Sequence, residues 1–418
     1  MKTRFLIIVL VAVLLALPLA LNAGQYSGAR SMSLAKSFTS LARDYDAIGI
    51  NPANLALDGG HNLSVQLFSA GVDLSNNSFS YSDYTKYNGE HLSQSDKDDI
   101  LSKIPSSGLQ GNFESGASAF LVTRGKLAFG LTGSADGDLT MDKEVFELIF
   151  NGNTMGDSID VSDADGEAVG HADINLAYAS HLANTRWGKL NWGVNLKYIQ
   201  GITYAKVEEA EGYLVTRASG IDSDGSVAIK TSQGGSGFGA DVGLSMHHGQ
   251  DWTFSLAVTN LISTISWSNE NKLNTYVFNS TDATLENSDE DGDTTYTSED
   301  YEEEIGSFSS SLAPQLALGA STNYKSFLLS FDLKQGFKNL GNVSTTPELS
   351  LGCEAHYFSF LPLRLGFSLG GSDGTQGAVG FGLNLGGFKF DFAYLASGSL
   401  LPFGGKGLGL ALSTGLTF

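Results

Sequence analysis

Residues 408–418 read Leu-Gly-Leu-Ala-Leu-Ser-Thr-Gly-Leu-Thr-Phe, and this stretch decides the fold. Leu408, Leu410, Leu412, Leu416 and Phe418 alternate with Gly409, Ala411, Ser413, Gly415 and Thr417, and only Thr414 softens the apolar row. A period of two marks a β-strand, because successive side chains leave opposite faces of a sheet. Here one face is bulky and apolar, the other small and polar. A secreted soluble sandwich would turn the apolar face inward. A membrane barrel turns it toward lipid and lets the small face line a polar lumen.

The same period recurs along most of the chain. Leu127, Phe129 and Leu131 show it, then Ile174, Leu176 and Tyr178, then Trp192, Val194, Leu196 and Tyr198. Phe327, Leu329, Phe331 and Leu333 repeat it, as do Phe388, Phe390 and Phe392. On the opposite face of these rows lie Asp173, Lys197, Asp241, Asp332, Lys334, Glu354, Arg364, Lys389 and Asp391. A water-facing row would be denser in Lys and Glu; this mixed-sign set among Gly, Ala and Ser suits a confined lumen. Short connections such as 123–126, 183–188 and 386–387 alternate with mostly longer ones near 74–111, 140–167, 207–234 and 268–307. That is the asymmetry of a barrel with tight periplasmic turns and longer external loops. Loop segments 95–104 and 141–150 read as short helices. Taking 61–73 as one rising strand gives fourteen strands, whereas a hairpin at Asp73–Asn77 gives fifteen. The even number leaves both termini on the periplasmic side, so the expectation is an all-β, 14-stranded antiparallel transmembrane β-barrel.

Residues 1–23 read as a cleaved signal peptide: Lys2 and Arg4, the apolar run Phe5–Leu17, Pro18, and Ala23 at the cut. The expected location is therefore the bacterial outer membrane, with lipid and the barrel-assembly machinery as partners. A net charge of −21 argues against nucleic acid. Cys353 is the only cysteine, which excludes an internal disulfide and a zinc-type cluster. Between Asp282 and Glu304 the chain has eleven acidic residues and no Lys or Arg. Within that run Asp289, Asp291 and Asp293 are a weak Ca²⁺ candidate, as is the smaller run of Asp163, Asp165 and Glu167, but neither completes a calcium-loop pattern. A solvated loop is the better reading. The sequence holds no phosphate loop and no His-Glu-x-x-His, and neither an enzyme nor a cofactor is expected.

Residues 24–58 differ from the barrel, 59–418. Leu34, Phe38, Leu41, Tyr45 and Ile48 recur at helical spacing, so an amphipathic helix is expected from Ser31 to about Ala47. Asn51-Pro52-Ala53-Asn54 stops it in a tight turn. Fourteen strands enclose more space than their own side chains fill, and this helical segment is the candidate hatch inside the lumen. Arg30, Lys36, Phe38, Arg43, Asp44, Asp46, Asn51, Pro52 and Asn54 are its candidate residues, with the charged ones available to pair with the lumen charges above.

The run GARSMSLAKSFTSLARDYDAIGINPANLAL, leading into a first strand, resembles the FadL superfamily of fatty-acid and hydrocarbon transporters. It also resembles PorV-type barrels of a protein-secretion system, and WGVNLKYIQGITYA resembles the long fifth strand of such proteins. One departure is Lys36-Ser37, where relatives often carry Gly-Gly. The resemblance implies a hatch-plugged channel for passive uptake of hydrophobic or amphipathic small molecules. The alternative it implies is a structural subunit with outer-membrane protein partners. It also implies that Leu412, Leu416 and Phe418 form a C-terminal assembly signal.

Overall fold

The computed structural model describes residues 28–418 except 153–154, 157, 161, 163, 250, 284–295 and 401–403. The expected signal peptide and the calcium candidates Asp289, Asp291 and Asp293 lie outside the described residues.

Fourteen strands form the barrel wall. They are β1 (Leu63–Asn76), β2 (Leu109–Arg124), β3 (Leu127–Met141), β4 (Asp165–Thr185), β5 (Gly188–Thr216), β6 (Gly235–His248) and β7 (Trp252–Trp267). Then follow β8 (Gln315–Tyr324), β9 (Phe327–Gly336), β10 (Glu348–Ala355), β11 (Leu363–Gly370), β12 (Gly374–Leu385), β13 (Phe388–Ser397) and β14 (Gly407–Thr417). Each pairs antiparallel with the next. The closing strand returns to the first, with Leu412 opposite Ala70 and Leu416 opposite Val65. Because β1 continues through Asp73 to Asn76, no hairpin interrupts it and the count is fourteen.

The apolar row of β14 faces outward. Leu412 is 41% exposed while Ala411 is 3% and Ser413 7% exposed. Leu127, Phe129, Leu176, Leu196, Phe331, Leu351 and Leu365 extend the same exposed apolar band. Such a band is an aggregation liability in water and is solvated by lipid in a bilayer. No helix among the described residues is long and apolar enough to cross a membrane; the strands make the crossing. Tyr178 and Trp192 pack edge to face on this outer surface with ring centroids 6.0 Å apart.

The long connections gather at the end opposite the start of β1 and the end of β14. Between β1 and β2 lie α1 (Tyr81–Tyr87) and α2 (Gln94–Lys103), and α3 (Lys143–Asn151) follows β3. Ser80 with Asp83, and Ser93 with Asp96, form capping boxes that satisfy the first amides of α1 and α2. Slight burial opposes ionisation of Asp83, yet hydrogen bonds from Lys103 and Ser80 hold its carboxyl down at about 2.

Two external connections are not the loops expected. Residues 207–234 and 268–307 largely continue the sheet: Ile221–Ser232 pairs with the far half of β5, Lys272–Ala283 with Ile221–Ser232, and Tyr296–Glu304 with Lys272–Ala283. The ladder's backbone hydrogen bonds stabilise these strands although polar residues interrupt their alternation. The result is a β extension rising from one side of the barrel and ending in the acidic strand 296–304.

Candidate functional site

Residues 28–57 run inside the barrel, and they are not one helix. Their only α-helical element is Ala29–Met32, with 3₁₀ turns at Asp44–Ala47 and Pro52–Ala56. The expected helix from Ser31 to Ala47 assumed water on one flank. Here Ser33, Ser37 and Ser40 are as buried as Leu34 and Ala42, so no solvent face exists to favour a helix. Ser and Thr also draw backbone groups into local bonds that compete with helical ones. Ala35 and Lys36 take positive φ of 48° and 61°, which breaks the helix there.

The wall supplies the hydrogen bonds that a helix would have made. Asp332 Oδ2 accepts the amides of Phe38 and Thr39 at 2.9 and 2.8 Å. Ser330 Oγ donates to Ser37 O at 2.9 Å, and Lys334 Nζ to Lys36 O at 2.6 Å. Asn51 Oδ1 caps the turn by accepting Ala53 N at 3.0 Å, with Pro52 at the first helical position. Its Nδ2 reaches Leu244 O of β6 at 3.2 Å. Asn54 Nδ2 ties back to Thr39 O at 2.9 Å and Ala42 O at 3.1 Å, while Ser255 Oγ of β7 donates to its Oδ1 at 3.0 Å. The fit is close enough that the wall is glycine at contact points. A Cβ on Gly193 would lie 2.4 Å from Ala53 N, and one on Gly366 2.1 Å from Leu34 C.

Two ion-pair groups hold the segment. Arg30 makes a two-pronged contact with Glu354, Nε to Oε2 and Nη2 to Oε1, each 2.9 Å. Glu354 also accepts Arg364 Nε, and Arg364 Nη1 reaches Asp391 Oδ1 at 2.6 Å. The Arg30 guanidinium stacks over Phe38 at 5.4 Å. On the outer side, Lys36 Nζ lies 3.1 Å from Asp73 Oδ2 and 3.0 Å from Glu114 Oε2. Arg43 and Asp44 do not meet the lumen charges: Arg43 donates to Ser40 O and Ala42 O, and Asp44 pairs with His61. Asp46 lies half-buried within the electrostatic reach of Arg30, Asp391 and Lys389. Lys389 is half-buried on β13 opposite Gly415, where the wall meets Tyr45.

A third group lies on β3–β7. Lys197 Nζ donates to Asp241 Oδ1 at 2.7 Å and Asn260 Oδ1 at 2.5 Å, and Asn195 bridges Asp241 to Asn175. Asp173 accepts His171 Nδ1 at 2.9 Å, with Ser134 Oγ 3.3 Å from His171 Nε2. This has the order of a hydrolytic triad, but Ser134 Oγ gives its hydrogen bond to Asp136 Oδ2 at 2.5 Å, so His171 receives no proton from it. All three side chains are buried. Ser134 and His171 gave no sequence signal because their strands carry no motif.

Sequence reasoning also missed the external connection 337–346 between β9 and β10. It folds inward across the lumen to the opposite wall. Leu340 and Val343 exchange backbone bonds of 3.0 and 3.1 Å in a tight turn at Gly341. Asn342 Nδ2 reaches Asp73 Oδ2 at 2.9 Å and Glu114 Oε2 at 2.6 Å. Lys338 pairs with Glu167 Oε2 at 2.7 Å, so Glu167 of the second acidic run serves as an ion-pair partner. Between the segment and the wall, a cavity of about 30 Å³ remains beside Asp46, Asp173 and Lys197. A hollow of about 370 Å³ lies on the lipid side of β6–β9, lined by Leu244, Met246, Phe254, Leu318 and Phe331.

A closed fourteen-strand barrel with an outward apolar band and a charged interior is a transmembrane β-barrel, and it is FadL-like in architecture. The chain belongs to DUF5723, a family of unknown function whose profile matches residues 52–398. A search of curated protein sequences finds no match. Among solved structures it is similar to the toluene transporter TbuX of Ralstonia pickettii: 14% identity, TM-score 0.52, covering 95% of this chain and 99% of that one. The P. putida toluene transporter TodX gives 11% identity and a TM-score of 0.51, with 95% and 99% coverage. The monoaromatic hydrocarbon channel CymD gives 11% and 0.51, with 96% and 98% coverage. At these identities the likeness is one of fold.

Proposed function

We propose that the protein is an outer-membrane channel for passive uptake of small hydrophobic molecules, closed by its own N-terminal segment. The observation that carries this reading is the composition of the inner wall. Most of it is Ser, Asn, Asp and Gly, yet toward the outer end Val169, Ile199, Tyr204, Ile265 and Trp267 form a buried apolar cluster. An ion pore has no use for such a cluster, whereas an apolar solute leaving the external rim does. The segment 28–57 is the hatch: it is fastened by discrete ion pairs and caps that can be released one at a time. The described toluene-transporter neighbours lend the substrate class.

A second reading, a structural subunit of an outer-membrane assembly, draws on the acidic extension. Strand 296–304 carries Glu299, Asp300, Glu302, Glu303 and Glu304, all exposed. Reconstitution separates the two. Deleting residues 26–54 is expected to raise both ion conductance and apolar-solute uptake. If both stay unchanged the hatch reading fails, and recovery of a stable complex with another outer-membrane protein would favour the second.

A further inference from the structure

The outer surface of the wall is not uniform. On β6–β9 the outward row Met246, Phe254, Ala320 and Phe331 runs straight across four strands, each residue opposite the next. Ala320 is the one small side chain in that row. A trough therefore opens over it between the rings of Phe254 and Phe331, which stand two strand spacings, about 10 Å, apart. This trough is the floor of the hollow of about 370 Å³, with Leu244, Leu256 and Leu318 as its neighbouring row. The wall behind it is closed. Strand pairing is continuous from Leu244 through Leu256 to Leu318, and Thr39 packs against Gly319 from inside, where an added Cβ would come 2.8 Å from Thr39 Cβ. The hollow leads nowhere, so its occupant comes from the bilayer.

The edge of the hollow at the short turns carries charge of one sign. Trp187, His248 and Phe254 stand in ring contact, with centroids 5.6 and 6.5 Å apart, and Arg186 lies over Trp187 at 4.9 Å. On the other flank Lys325 lies over Tyr324 at 5.3 Å. Tyr324 shares the outward face of β8 with Ala320, four residues or roughly 13 Å further along the strand. Both cations are exposed, and neither has a carboxylate partner among the described residues. Counted from the last residue of one strand to the first of the next, the short turns hold Arg124, Lys126, Arg186 and Lys325 against a single carboxylate, Asp251. The chain as a whole has a net charge of −21, so this excess of cations is confined to one rim. We propose that the hollow is a binding site for one anionic diacyl phospholipid of the periplasmic leaflet. One acyl chain lies over Ala320 between Phe254 and Phe331, and the charges of Arg186 and Lys325 at the rim select a negative headgroup. The site needs only the barrel in its membrane and stands whether or not the lumen conducts.

The test is lipid retention. The full chain is folded into vesicles of equimolar phosphatidylglycerol and phosphatidylcholine, extracted into detergent and weighed intact by native mass spectrometry. The parent is expected to keep one phosphatidylglycerol and at least fivefold less phosphatidylcholine. Ala320→Phe fills the trough with a residue that strands favour, and should lower retained phosphatidylglycerol at least fivefold while the heat-modifiable band persists. Arg186→Gln with Lys325→Gln should bring the two lipids to equal retention. Both of these positions lie in exposed turns, so this variant carries the test if Ala320→Phe does not fold. Equal retention of the two lipids by the parent, or a preference that survives either variant, overturns the site. Displacement of phosphatidylglycerol by equimolar oleate overturns its assignment to a diacyl lipid.

Discussion

Lys36 of the N-terminal segment and Asn342 of the external connection bind the same two oxygens, Asp73 Oδ2 and Glu114 Oε2. One comes from the N-terminal segment and the other from the inward-folded external connection, and they meet on one carboxylate pair contributed by β1 and β2. Neither contact is complete alone. Asp73 is buried and Glu114 half-buried, so the pair needs the cation, and the amide donors fix where the oxygens point.

This sharing predicts non-additivity. Lys36→Met leaves buried Asp73 and half-buried Glu114 without their cation and should cost about 3 kcal/mol. Asn342→Ala removes neutral donors and should cost about 1 kcal/mol. Because the partners are common, the double variant should differ from the sum by about 1 kcal/mol, measured by denaturant unfolding in detergent. Simple additivity would mean the two contacts are independent.

Asp332→Ala removes the acceptor of two buried amides, those of Phe38 and Thr39. Each orphaned amide costs roughly 1–3 kcal/mol. The barrel ladder does not use this side chain, so the loss should fall on the segment. The expected result is protease cleavage within residues 28–57 while the heat-modifiable barrel band persists. Unchanged protection would show that Asp332 does not anchor the segment.

Gly366→Val tests the closeness of the fit. Its first carbon would come 2.1 Å from Leu34 C and 2.2 Å from Ala35 N, closer than any real contact. Valine favours strands, so the wall should form and the segment should be displaced. Single-channel recording should then show larger or more frequent openings than in the parent protein. Silence equal to the parent's would show that the segment shifts without leaving.

Deletion of Phe418 separates assembly from stability. Its ring is 66% exposed, and its backbone adds two bonds to Leu63 at the seam. The resemblance to FadL-type barrels implies that this terminal aromatic is read during insertion. The deletion should lower the amount in the outer membrane severalfold while refolding in detergent stays close to normal. Normal insertion would remove the terminal-signal reading.

The alternation at Leu408–Phe418 was legible because a strand's two faces meet two solvents, and every second residue records which one. The same record marked Asp332, Glu354 and Arg364 as inward residues, while the count of fourteen also needed the rule that a single-chain barrel has an even strand number. It misread residues 31–47, since helical spacing of Leu34, Phe38 and Leu41 means a helix only where one flank is wet, and here the wall surrounds the chain. It could not reach 337–346, because Leu340 and Asn342 find partners across the ring, on strands far away in sequence. Periodicity is a local quantity, so the sequence by itself determined the wall and its orientation. The tertiary structure alone decided what fills the lumen, because that depends on which distant side chains a closed ring brings face to face.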